Sequence, residues 1–188
     1  MSGWWLALML ATGSAQAVEV AGVQVPDSVR VGTTDLVLNG AGVRTRAVFK
    51  VYVGALYLTE RKSAAPEALA QKGPKRVALH ILRDLSAEQL SSALTESLSA
   101  NLPDAEREKL APQVAELTRT MEAVGSVKER NVVTIDYLPE VGTRVALDGA
   151  PRGKPIPGED FHRALLRIWL GDKPVDRSLK AGMLGQGS

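Results

Sequence analysis

The chain contains no cysteine in 188 residues. That excludes a disulfide framework, a thiol nucleophile and a thiolate-ligated metal. Histidine is almost as scarce, with two in the whole sequence. His80 and His162 lie far apart and fall in neither an H-x3-H nor an H-E-x-x-H pattern, so a zinc site has little to build on. Each reads better as a structural residue, His80 among apolar strand neighbours and His162 beside Phe161 on a helix. An excess of one charge is also missing: 23 basic residues against 21 acidic ones leave a formal +2. Such a balance offers no field for nucleic acid. There is no G-x-S-x-G elbow, no P-loop and no carboxylate pair at a spacing that suggests a glycosidase. Beyond the first residues, no apolar run approaches the roughly 20 residues that cross a bilayer.

What is present starts with the apolar run Trp4 to Ala11, then Thr12-Gly13-Ser14 and the small-residue triplet Ala15-Gln16-Ala17. A short apolar stretch ending in A-x-A predicts a cleavable signal peptide over residues 1–17. The rest, residues 18–188, is long enough for one domain with a sizeable core. Export, to the periplasm, follows as an expectation, and the lack of cysteine suits an oxidising compartment. No Lys or Arg precedes the run. The alternative is a buried N-terminal helix or strand.

The remaining chain alternates between two kinds of pattern. Val18 to Val25 and Thr34 to Asn39 alternate as strands should. Gly40-Ala41-Gly42 reads as a turn. Val43 to Thr59, β-branched and aromatic, reads as one or two strands, and Gly54 suggests a bulge or a close backbone approach. A short helix follows Pro66, then a strand over Arg76 to Leu82. Ser86 and Gln89 form a capping box, opening a helix to about Asn101 with Leu90, Ala93, Leu94 and Leu98 on one face. Pro103-Asp104 restarts a helix, Pro112 breaks it, and Gln113 to Val124 continues. Asn131 to Leu138 and Thr143 to Leu147 predict a hairpin. A helix from Asp160 carries the stripe Phe161, Leu165, Ile168 and Trp169 with Gly171 as C-cap, and a last short helix ends near Gly182. Strands, helices, a hairpin and again helices imply an α+β fold, an antiparallel sheet covered on one face by helices.

One segment stands out for chemistry. Leu38 to Leu58 (LNGAGVRTRAVFKVYVGALYL) places Arg44, Arg46, Lys50, Tyr52 and Tyr57 on an otherwise apolar, strand-forming stretch. A guanidinium beside a tyrosine hydroxyl suits a carboxylate or an enolate. The alternative is an amphipathic strand with its cations in solvent: Arg44, Arg46, Lys50 and Tyr52 share one parity, and Val43, Phe49, Val51 and Val53 the other. On one straight strand Arg44 and Tyr52 would stand about 26 Å apart, too far to hold one carboxylate.

The strings GxGxR…KVYVxxLYL (Gly40 to Leu58) and F-x-x-ALLxIWLGDxPVD (Phe161 to Asp176) resemble the chalcone isomerase-like family, in its bacterial exported branch. The resemblance covers about Val18 to Gly185. It implies an open-faced β-sandwich, a large antiparallel sheet under a layer of helices, with a ligand cleft between them. It also implies a bend that brings Arg44 to Tyr52. Residue by residue, the arginine after the Gly-x-Gly string falls at Arg44. Tyr52 stands where fatty-acid-binding relatives have tyrosine and plant isomerases have threonine. The cleft tyrosine of the isomerases falls at Leu90, the asparagine near Ser97, and a C-terminal threonine at Ile168, beside Trp169. The arginine is kept and most of the polar cleft is replaced. What the resemblance implies first is therefore non-catalytic binding of a small amphipathic acid, fatty or aromatic. Arg44 and Tyr52 would hold its head, with Leu90, Leu94, Ser97, Ile168 and Trp169 shaping the cleft and no cofactor required. The alternatives are an isomerase or intramolecular lyase with Arg44 and Tyr52 as catalytic groups, a structural or interaction protein, and a haem binder using His80 or His162. The oligomeric state stays open.

Overall fold

The computed structural model describes residues 16–187. The leader expected over residues 1–17 lies outside the described residues except for its last two positions. The described chain opens with a small hairpin, β1 (Ala17–Val20) and β2 (Val23–Pro26), where the alternation over Val18 to Val25 suggested one strand. Ala21 and Gly22 take left-handed φ and reverse the chain. The alternation runs on either side of that turn, so periodicity alone does not reveal it.

A seven-stranded antiparallel sheet follows, its strands neighbouring one another in chain order. They are β3 (Ser28–Val31), β4 (Thr34–Arg46), β5 (Phe49–Leu58), β6 (Lys75–Ile81), β7 (Val132–Leu138), β8 (Gly142–Leu147) and β9 (Ala150–Ile156). The two edge strands give little signal in the sequence. β3 is four residues long, and β9 (APRGKPI) carries prolines and a glycine that only an edge tolerates.

Helices α1 (Ala65–Ala70), α2 (Ala87–Ala100), α3 (Asp104–Lys109), α4 (Ala111–Val124), α5 (Glu159–Leu170) and α6 (Arg177–Met183) complete the chain. The capping box opens α2 as expected: Ser86 accepts from the Gln89 amide, and Gln89 accepts from the Ser86 amide. Pro112 sits in the first turn of α4, where its missing N–H costs nothing. The main core joins Leu56, Leu58, Val77 and Leu79 of the sheet to Leu98, Leu117, Phe161, Leu165 and Trp169 of the helices. The opposite sheet face is not bare. Val53, Ala55 and Tyr57 form a second, smaller core with Val25, against which Val20 and Val23 of the N-terminal hairpin pack.

Gly40-Ala41-Gly42 is not a turn. It lies inside β4, and the chain reverses later, at Ala47-Val48. The glycines serve close packing instead. A Cβ on Gly40 would overlap the Gly182 carbonyl oxygen, and one on Gly182 would stand 2.6 Å from the carbonyl oxygen of Ala41. Helix α6 therefore rests directly on the backbone of β4, and Gly54 admits Leu179 from the same helix, with 3.1 Å between a Cβ there and the leucine Cδ1. Asp176 fixes the start of α6. One carboxylate oxygen accepts from the Leu179 amide (3.0 Å), the other from the amide of Thr45 on β4 (2.9 Å).

Candidate functional site

The hairpin β4–β5 resolves the distance between Arg44 and Tyr52. They are direct cross-strand partners, and the Arg44 guanidinium carbon stands 5.5 Å from the centre of the Tyr52 ring. Thr45 pairs with Lys50 and Arg44 with Tyr52, so Val51 is the extra residue of a β-bulge. A bulge turns successive side chains toward one side. Val51 and Tyr52 accordingly both enter the helix-side core, whereas Val53 enters the other. The parity assigned to a straight strand breaks at this point. Tyr57 falls on the far face, where its hydroxyl donates to the Pro26 carbonyl (2.9 Å) and burial pushes its pKa up to about 12.

Tyr52 is buried, and its hydroxyl accepts a 2.9 Å hydrogen bond from the indole Nε1–H of Trp169 on α5. An indole nitrogen can only donate. The Tyr52 oxygen is thus the acceptor, and its own proton is left for another partner. Burial raises the Tyr52 pKa, the nearby Arg44 charge opposes that rise, and the hydrogen bond from Trp169 opposes it further. The phenol is a neutral donor at neutral pH.

Beside this pair, between the β4–β5 hairpin and the start of α2, lies a cleft of about 330 Å³. Phe49, Val51, Leu85, Leu90 and Ala93 give it apolar walls, and Arg44, Arg46 and Arg83 bring cations to it. Among the described residues, no carboxylate pairs with Arg44, Arg46 or Arg83 within 4.0 Å. The Arg83 guanidinium instead lies 4.5 Å from the centre of the Phe49 ring. Asp84, the acid of the lining, is occupied: it accepts from Lys128 (2.8 Å) and from the Glu129 amide (2.9 Å). Those contacts hold its carboxyl below the usual range.

The structure distributes the expected site residues unevenly. Arg44, Tyr52 and Leu90 meet at the cleft. Ser97 lines a more open neighbouring hollow shared with Arg44, and its hydroxyl donates to the Ala93 carbonyl (2.6 Å). Leu94, Ile168 and Trp169 lie in the core, and of these Trp169 reaches the site through Tyr52. Phe49 and Arg83 did not stand out as site residues. Straight-strand parity puts Phe49 on the wrong face, and Arg83 is one cation in a loop. Neither histidine joins this cleft. His80 pairs with Val53 on the face away from the helices. His162 is buried against Tyr137 (ring centres 4.8 Å apart), with Nδ1 3.1 Å from the Thr143 hydroxyl. Among the described residues there is no metal-ligating cluster and no helix long and apolar enough to cross a membrane.

A family model described as chalcone isomerase-like matches residues 17–185. No curated protein sequence matches the chain. Among solved structures, a fatty-acid binding protein of Arabidopsis thaliana superposes with a TM-score of 0.69 at 16% sequence identity, covering 89% of this chain and 95% of that one. The likeness is one of fold.

Proposed function

The chain belongs to the chalcone isomerase-like family, and from that premise we propose that it binds a small amphipathic acid without transforming it. The carboxylate sits between the Arg44 guanidinium and the Tyr52 hydroxyl, and the apolar part lies along Phe49, Val51, Leu85 and Leu90. The observation that carries this reading is the direction of one hydrogen bond. Because Trp169 donates to Tyr52, the phenol proton is available to a ligand oxygen beside a cation that has no carboxylate of its own. Charge-assisted hydrogen bonds of this kind are the strong ones. A cleft of about 330 Å³ is at the small end of ligand sites, which run from roughly 300 Å³ upward. That size favours a medium-chain or single-ring acid. The fatty-acid binding protein with the same fold supports the assignment to binding.

Calorimetric titration with dodecanoate tests it. Saturable one-site binding is expected, dodecanol binds at least tenfold more weakly, and Arg44→Ala removes about 2 kcal/mol of affinity, as loss of a hydrogen bond to a charged group does. Equal affinity for acid and alcohol sinks the proposal. Turnover of added chalcone, followed by absorbance, would replace it with the isomerase alternative. We also propose that residues 1–17 are removed on export to the periplasm. N-terminal sequencing of the periplasmic protein should then begin at Val18, and a mature protein that retains Met1 refutes this.

A further inference from the structure

The tip of the β4–β5 hairpin has a composition that the turn itself does not require. Tight two-residue hairpin loops favour Gly, Asn and Asp, which are polar or small and accept left-handed φ. Here Ala47 takes φ 54°, followed by Val48 and Phe49. Val48 is 84% exposed and Phe49 is 56% exposed. Two adjacent large apolar side chains in water at a loop tip are not a packing necessity, and exposed apolar surface of this kind marks an interaction site. The surrounding charge is of one sign on the hairpin itself: Arg46 precedes the tip and Lys50 follows it, both exposed. Arg83, in the loop after β6, stacks on Phe49. The nearby acids are Asp84, taken by Lys128 and the Glu129 amide, Asp176, taken by the Thr45 and Leu179 amides, and Glu88 on the first turn of α2. The same tip forms the mouth of the cleft, since Arg46, Ala47, Phe49 and Arg83 line it.

We propose that the Ala47–Phe49 tip, ringed by Arg46, Lys50 and Arg83, docks on an anionic lipid bilayer. Val48 and Phe49 enter the headgroup–acyl boundary, and the three cations lie against lipid phosphates. Apolar insertion plus electrostatic attraction is how interfacial binding is built. The complementarity is specific to an anionic surface, because a neutral bilayer would reward the apolar pair but not the cations. Docking at the mouth would also let an amphipathic ligand pass between bilayer and cleft without crossing water. The docking itself does not depend on what the cleft holds.

The cysteine-free sequence makes the test clean. Full-length Val48→Cys carries a single environment-sensitive fluorophore and is mixed with vesicles of phosphatidylglycerol and phosphatidylcholine in equal parts. Val141→Cys, at the β7–β8 turn on the opposite end of the sheet, is labelled as the reference. Emission at position 48 should rise and shift to the blue, while position 141 stays unchanged. Lys50→Gln in the Val48→Cys background should lower the partition coefficient about fivefold, the effect of one basic residue near an anionic surface. Unlabelled Val48→Asp should fail to co-sediment through this tip yet bind dodecanoate in solution as the parent does. Three outcomes overturn the proposal: silence at position 48, an equal response at 141, or equal partition onto pure phosphatidylcholine.

Discussion

Two groups of polar side chains sit under the same helix layer, at opposite ends of the sheet, and they behave differently. At one end, Arg44 and Tyr52 flank an open cleft. At the other, Lys75, Tyr137, Thr143 and His162 are sealed in. Lys75 is buried, donates to the Gln71 carbonyl and lies over the Tyr137 ring, with the ammonium 5.6 Å from its centre. His162 stacks on the same ring, and its Nε2 has no partner among the described residues. Burial depresses the His162 pKa to about 3, with the Lys75 charge acting in the same direction. Burial likewise lowers Lys75 to about 8, against the pull of Glu159. At the closed end burial works against the charged forms because water is excluded: His162 is neutral at pH 7, and Lys75 keeps its proton at a cost. The open end keeps a cation half in solvent, which leaves it free to take an anion. Full burial opposes charge, as the neutral His162 shows, whereas partial exposure without a carboxylate leaves the Arg44 cation available.

The largest effect expected from this contrast is at the closed end. The His162 pKa, about 3 in the fold, lies far below the unfolded value near 6.5. Its contribution is therefore complete above about pH 6.5 and drains away as pH falls toward 3, on the order of 4 kcal/mol in all. Denaturant midpoints from pH 7 to pH 4 should show this slope, and His162→Phe should flatten it. An unchanged slope would mean that the imidazole finds water. Next, Trp169→Phe removes the donor to Tyr52 and should cost about 2 kcal/mol of stability. Dodecanoate binding should weaken with it, because the phenol then loses its fixed direction. Stability loss with intact binding would separate the indole from the site. Smaller again, Lys75→Met should stabilise by about 1 kcal/mol at pH 7, since an apolar side chain avoids the cost of burying an ammonium. The lysine pKa is lower in the fold than unfolded, so this advantage is full below about pH 8 and fades as pH rises toward the unfolded value near 10.4. Thermal unfolding at pH 7 and pH 10 checks it. Smallest of all, Arg44→Gln should leave unfolding within about 0.5 kcal/mol of the parent, as half-exposed surface changes do. A larger loss would make Arg44 structural and erase the distinction between the ends.

Some of this was legible in advance, for identifiable reasons. Helix starts are legible where a local rule fixes them: the Ser86–Gln89 box and the Pro112 boundary each depend on neighbours within four residues. Strand interiors such as Val132–Leu138 were legible from alternation. The edges β3 and β9 were not, because an edge strand need not be apolar on both faces. The G-x-G string reads locally as a turn, but its reason is Gly182, more than a hundred residues away. In the site, residue type alone marks Arg44 and Tyr52, but strand parity puts Phe49 on the wrong face because the bulge at Val51 shifts parity by one.

The sequence by itself determined the α+β architecture, the absence of thiol chemistry, the capped helices and the presence of cations within a strand-forming run. Each follows from composition or from interactions between residues close along the chain. Only the tertiary structure decided that the chain reverses at Ala47-Val48, that Trp169 aims its N–H at Tyr52, and that Gly40 and Gly182 seat α6 on β4. These depend on contacts between distant segments, and alternation carries no information about which distant residue will supply a donor or fill a space.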